Sequence, residues 1–181
     1  LVLSPGAKPI LPPMEGAQLE EVFTIRNIPD TYQVKSYLLE HHPKRAVVVG
    51  GGYIGMEMAE NLHRAGLEVT IVELADHLIG PLDWDMAQEV LRHVTAKGLK
   101  VLLSTGVQSI RKAGEGLTVG LTSQEELAAD LVILSVGVLP DTAFLKGSGL
   151  EFGLKGAIKV DEQMRTSLPD VYAVGDAVQV R

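Results

Sequence analysis

The chain contains no cysteine. That excludes disulfides, thiolate metal sites and any cysteine chemistry completed by this chain alone. No apolar run approaches the ~20 residues that span a bilayer. Clustered basic charge is also missing. Lys44-Arg45 and Arg111-Lys112 are the closest pairings and read as solvated charges. The 16 basic and 23 acidic residues give a net charge of −7, which argues against a nucleic-acid partner. The five histidines, His41, His42, His63, His77 and His93, share no metal-ligand spacing, so no metal site is expected. The start, Leu1-Val2-Leu3-Ser4-Pro5, lacks a basic n-region and is broken by Pro5. It is not read as a signal peptide, and a cytoplasmic location is expected. A start on Leu1 rather than Met supports a piece cut from a longer protein.

What is present begins with a repeat. Leu3-Ser4-Pro5-Gly6-Ala7-Lys8-Pro9 and Leu134-Ser135-Val136-Gly137-Val138-Leu139-Pro140 share Leu, Ser, Gly and Pro at the same four offsets. Each follows an apolar run. The repeat suggests two related nucleotide domains in a parent protein, one whole here and one represented by its closing strand. At 46% hydrophobic, 181 residues can bury one ordinary core with some appended chain.

The element pattern is α/β: a Rossmann-like parallel sheet with an antiparallel β-meander crossover, plus leftover terminal strands. Pro5 to Gly16 reads as a connector. Val22 to Ile25 is a short strand. Asp30 and Gln33 resemble a capping box that opens a helix running to about His42. Arg45 to Val49 is a buried strand, Ile54 to Ala65 a helix, and Glu68 to Glu73 a second strand. A helix from Asp83 to Lys97 and a strand from Leu99 to Leu103 follow. Val107 to Lys112, Leu117 to Leu121 and Glu126 to Ala129 form the meander. Leu131 to Val136 returns to the buried type, and Ala157 to Val160 and Val171 to Val174 are later strands.

Gly50-Gly51-Gly52-Tyr53-Ile54-Gly55 is a dinucleotide fingerprint in its proper context, after a buried strand and opening a helix. Gly50 permits the tight turn, Gly52 the approach of a pyrophosphate, and Gly55 close helix packing. The helix start at Tyr53 and Ile54 offers free N–H groups to phosphate. Glu73 is placed to accept hydrogen bonds from a ribose diol. With Glu73 and Asp76 at the adenosine end and no Arg or Lys, NAD(H) is expected over NADP(H). Asp76 itself reads as a solvated loop acid.

Those residues, the Ser135-Val136-Gly137 turn, and Thr166-Ser167-Leu168-Pro169-Asp170-Val171-Tyr172-Ala173-Val174-Gly175-Asp176-Ala177 resemble the FAD-dependent pyridine nucleotide-disulfide oxidoreductases. The branch most resembled is the NADH oxidase, NADH peroxidase and coenzyme A-disulfide reductase group. The resemblance implies an NAD domain inserted into an FAD domain. Residues 1–19 would be FAD-domain remnant and linker, 20–165 the NAD(H)-binding domain, and 166–181 FAD-domain remnant. Leu1 to Ser4 and Val171 to Val174 should then pair as parallel strands.

The same resemblance implies that Gly175 and Asp176 meet the ribityl chain of FAD. It implies that Tyr53 covers the flavin and that Glu57 contacts the nicotinamide amide. Val136 and Gly137 would approach the bound NADH. Leu139 stands where many relatives carry Arg. NADH would pass hydride to FAD and on to a thiol, disulfide or oxygen acceptor. This chain would be inactive alone, without the redox cysteine and the FAD and dimerisation domains of a homodimeric parent. A self-sufficient NAD-dependent dehydrogenase and a non-catalytic NADH-sensing module stay open as alternatives.

Overall fold

The computed structural model describes residues 1–180. Strands β1 (Val2–Leu3), β2 (Ala7–Pro9) and β3 (Val22–Phe23) precede helix α1 (Ile28–His41). Then come β4 (Arg45–Val49), α2 (Tyr53–Arg64), β5 (Glu68–Val72), α3 (Trp84–Ala96) and β6 (Lys100–Leu102). β7 (Val107–Ala113), β8 (Gly116–Leu121), β9 (Glu126–Ala129) and β10 (Leu131–Leu134) follow. β11 (Val138–Pro140), β12 (Ile158–Val160), β13 (Tyr172–Ala173) and β14 (Val178–Val180) close the chain. The chain divides into two compact units, Leu11–Gly137 and Leu1–Ile10 with Val138–Arg181.

In Leu11–Gly137, a five-stranded parallel sheet has the order β3-β10-β4-β5-β6. Successive β4 residues serve opposite faces, as the strand period of two requires. Ala46 and Val48 join a core with Ala59 and Leu62 of α2 and Val94 of α3. Val47 and Val49 join a second core with Ile110, Leu117, Val119 and Leu121. The second core is roofed by the antiparallel meander β7-β8-β9, which carries the chain from β6 to β10. Each fully buried Val, Leu or Ile contributes ~1.5–3 kcal/mol, so covering both faces is what holds the sheet.

α1 begins earlier than the sequence pattern suggests. Its cap is Asn27, whose side chain accepts from the Asp30 N–H at 3.1 Å. Asp30 Oδ2 in turn accepts from the Asn27 N–H at 3.0 Å. The expected box at Asp30 and Gln33 is therefore one turn late. Pro29 lies in the first turn, where its fixed φ suits a helix and its missing N–H costs nothing.

The other unit pairs β1 with β13 in parallel, Val2 opposite Tyr172 and Leu3 opposite Ala173. This is the pairing that the insertion reading requires. β12 pairs in parallel with β14, a strand the sequence pattern did not mark. Pro5 to Gly16 is not simply a connector, because β2 pairs antiparallel with β11. Prolines at Pro9 and Pro140 hide this ribbon from a breaker-based reading. Leu150, Ile158, Val160 and Ala173 form this unit's core, with Leu3 and Val171 packed against it. β12 belongs to this core through Ile158 and Val160, and the change of unit falls after Gly137, whereas the resemblance put the end of the NAD(H)-binding domain at 165.

Candidate functional site

Register places the site. Val49 lies opposite Val72 on one side and Leu134 on the other. The residues that follow, Gly50, Glu73 and Ser135, therefore form a row at the carboxyl edge of the sheet. Open α/β sheets take ligands at that edge.

The turn after β4 is tight. Gly50 has φ +101°, and a Cβ on it would lie 2.4 Å from the Ser135 carbonyl oxygen. A Cβ on Gly55 would lie 1.9 Å from the Gly50 carbonyl oxygen, so α2 seats directly on the turn. Ser135 Oγ lies 2.9 Å from the Val49 carbonyl oxygen and 3.0 Å from that of Gly50, a donor shared between strand and turn. Ser135 is a positioning residue and is not among the ligands expected from the sequence. Its sequence signal was its place in the Ser-Val-Gly turn.

Gly52 differs from both. A Cβ there would meet no atom within 4 Å, so nothing in the protein demands a glycine. It is the N-cap of α2 and supplies no side-chain bond, and the first turn of α2 holds no acid. The first N–H groups of a helix have no intrahelical partner. Those of Tyr53, Ile54 and Gly55 are left to whatever lies in front. α1, by contrast, closes its start with its own side chains.

Glu73 is held beside this turn. Its Oε2 accepts from the Gly51 N–H at 2.5 Å and its Oε1 from the Ala75 N–H at 2.7 Å. A carboxylate has about four acceptor sites, so each oxygen keeps capacity for a further donor. The loop beyond folds back on the turn. The Ile79 N–H donates to the Gly51 carbonyl at 2.8 Å, and Leu78 is fully buried beneath Gly51. Asp76, expected as a solvated acid, is exposed but holds His77 Nδ1 at 2.6 Å.

Tyr53, Ile54 and Val136 stand exposed around the fingerprint, and Glu57 is exposed on α2. Gly137 is exposed with φ +105°. In the other unit, β13 leads into Gly175 at φ +80°, and Asp176 is exposed in a short 3₁₀ turn. Gly175 is close to Ser4, whose Oγ would lie 3.6 Å from a Cβ at that position.

The site is an open edge rather than a cavity. A groove of about 730 Å³ lies elsewhere, lined by Arg45, Glu68 and Lys100 at the strand starts and by His63. It is at the wrong end of the strands for a dinucleotide. Among the described residues no His, Asp or Glu group could hold a metal ion, and no helix is long and apolar enough to cross a membrane.

The family model described as pyridine nucleotide-disulphide oxidoreductase matches residues 1–181. An NADH oxidase of Methanocaldococcus jannaschii is 40% identical over 181 residues, covering 99% of this chain and 40% of the relative. The reduced CoADR-RHD of Bacillus anthracis superposes with a TM-score of 0.92 at 43% identity, over 98% of this chain and 32% of that one. A water-forming NADH oxidase from Lactobacillus brevis, bound to NADH, gives a TM-score of 0.90 at 30% identity, over 98% and 39%. The chain thus spans about two-fifths of the length of the curated relative.

Proposed function

The chain belongs to the pyridine nucleotide-disulphide oxidoreductase family, and on that premise we propose that it is the NADH-binding part of a flavin-dependent oxidoreductase. The whole protein passes hydride from NADH to FAD and electrons on to a thiol, disulfide or oxygen acceptor. The observation that carries the reading is the uncapped start of α2, with open space at Gly52, beside a Glu73 carboxylate already fixed by two backbone donors.

These residues fit NADH. The pyrophosphate lies against the free N–H groups of Tyr53, Ile54 and Gly55, where the helix dipole favours negative charge. Gly50 and Gly55 let that helix start sit close to the turn. The spare lone pairs of Glu73 accept from the adenosine ribose hydroxyls. Val136 and Gly137, in the same row, bound the path toward the nicotinamide. Tyr53 would cover the flavin until the nicotinamide arrives and then swing aside, and Glu57 holds the carboxamide.

FAD, when bound, supplies the hydride acceptor. Gly175 and Asp176 are this chain's contribution to its site, the carboxylate meeting ribityl hydroxyls. The compact unit Leu11–Gly137 is accordingly taken as the NAD(H)-binding domain and the residues on either side of it as FAD-domain remnant, in place of the limits 1–19, 20–165 and 166–181 that the resemblance implied. The greater length of the relatives supports further domains in the parent; in this proposal they are FAD and dimerisation domains, and the parent is a cytoplasmic homodimer. Val2 and its partner Tyr172 are both exposed, and that face of the strand pair is where the missing part of the FAD domain packs.

Titration calorimetry of the purified chain with NADH tests the reading, together with NADH absorbance over time. NADH should bind, the preparation should be colourless, and no NADH should be consumed. Failure to bind NADH overturns the proposal. Turnover without flavin would favour a self-sufficient dehydrogenase instead.

A further inference from the structure

Between Arg64 and Arg92 the chain has no Lys or Arg. That stretch carries Glu68, Glu73, Asp76, Asp83, Asp85 and Glu89, and a single residue able to become cationic, His77. His77 is on the loop that supplies Glu73, and the neighbouring Leu78 and Ile79 brace that loop to Gly51. The imidazole is fixed at both nitrogens: Nδ1 is 2.6 Å from Asp76 Oδ1 and Nε2 is 3.4 Å from the Gly80 carbonyl oxygen. Both partners are acceptors. A neutral imidazole has one N–H and can satisfy only one of them, whereas imidazolium satisfies both.

We propose that His77 makes the discrimination between NADH and NADPH pH-dependent, its protonation admitting a 2′-phosphate that the loop otherwise repels. This rests on the NADH-binding reading above. The charged groups acting on the imidazole are Asp76, in contact, and Glu73. Asp83 and Asp85 follow at the start of α3. With His77 neutral, Glu73 and Asp76 both face the adenosine end uncompensated. With His77 protonated, Asp76 is neutralised and one negative charge is removed from the phosphate's surroundings. The Asp76 hydrogen bond first, then the Gly80 carbonyl, raise the His77 pKa above its ordinary value, which brings the transition toward neutral pH.

The 2′-phosphate also takes up a proton near pH ~6, which relieves repulsion by itself. A variant separates the two effects. Dissociation constants for NADH and NADPH are measured by calorimetry from acidic to mildly alkaline pH at low ionic strength. The protein, His77→Gln and Asp76→Asn are compared. On acidification the NADPH-to-NADH ratio of dissociation constants should fall about fivefold further in the protein than in His77→Gln. In Asp76→Asn the midpoint should move to lower pH, a shift that a merely structural role would not produce. Identical pH dependence in the protein and in His77→Gln overturns the proposal. Absence of NADH binding at every pH overturns the NADH reading itself, and this proposal with it.

Discussion

Gly52 and Gly55 belong to one motif but are glycine for different reasons, and alanine should separate them. At Gly52 the backbone is extended, φ −76° and ψ −174°, and the added methyl meets nothing within 4 Å. Alanine there restricts the unfolded chain, worth ~0.4–1 kcal/mol, but glycine is the better N-cap by a similar amount, so Gly52→Ala should leave stability within ~1 kcal/mol of the parent chain. The melting temperature should therefore stay within a few degrees, roughly 4 °C, of the parent chain. The same methyl stands where a pyrophosphate must approach α2. NADH affinity should fall at least about tenfold, or about 1.4 kcal/mol. At Gly55 the methyl would sit 1.9 Å from the Gly50 carbonyl oxygen and 2.7 Å from Ser135 Oγ. Neither neighbour is a flexible chain end, so α2 must shift. Gly55→Ala should lose both stability, by ~1–3 kcal/mol or more, and binding. Thermal melts with NADH calorimetry on the two variants check this. Gly52→Ala binding NADH within about twofold of the parent chain would show that no pyrophosphate passes Gly52, and the reasoning would fail.

Three further outcomes are expected. Glu73→Arg should narrow or reverse the preference for NADH over NADPH, with charged hydrogen bonds of ~1–3 kcal/mol at stake; equal affinities in the unaltered chain, read by calorimetry, would sink the idea. Ser135→Ala removes the donor shared by Val49 and Gly50, costing ~1 kcal/mol, and should weaken NADH binding as the turn loosens; an unchanged melting temperature and affinity would refute its positioning role. Asp130 should contribute to acid sensitivity. Burial pushes its pKa up, but the Arg45 guanidinium and the Lys44 and Arg45 N–H groups outweigh that and hold it below the usual carboxylate value. A depressed folded pKa means stability that is present above the unfolded value and lost as pH falls through the folded one. Acid melts of Asp130→Asn should therefore show a shallower loss below pH ~4, and an identical acid limb would contradict this.

The βαβ unit was legible because its signals are local. Val47 and Val49 read as a two-sided strand from apolarity alone, and Gly66 at φ +94° ends α2 where the sequence pattern put the stop. The meander was legible from alternation in Leu117, Val119 and Leu121, all buried as the pattern requires. The ribbon of β2 and β11 was not, since Lys8 meets Leu139 only through tertiary pairing. The cap of α1 was misread because Asp30 suits both the N-cap and the third position, and only the Asn27 bonds decide between them. At the site, the row Gly50, Glu73, Ser135 required strand register, which composition does not carry. The brace from Glu73 to the Gly51 N–H likewise joins residues that sequence reasoning treats as separate ligands.

The opening repeat acquires a physical meaning from that ribbon. Each copy runs off a parallel strand, turns at a glycine of positive φ, Gly6 at +69° and Gly137 at +105°, and enters the same antiparallel pair. Pro9 lies opposite Val138, and the chain changes unit just after the first and just before the second. An insertion whose two ends are tied together at its base imposes little on its host, because closing a long loop costs only logarithmically more than closing a short one. Leu11–Gly137 can then fold around its own two cores, while β1 and β13 need only each other and the ribbon for register. Charged residues replacing Val138 and Leu139 should therefore disturb the terminal strand pair while leaving the five-stranded sheet intact. Hydrogen exchange would show this as lost protection at Tyr172 and Val174, whose N–H groups bond to Leu1 and Leu3, with Val48 and Ile71 still protected. Loss of protection spread equally through both units would mean that the inserted unit does not fold on its own terms.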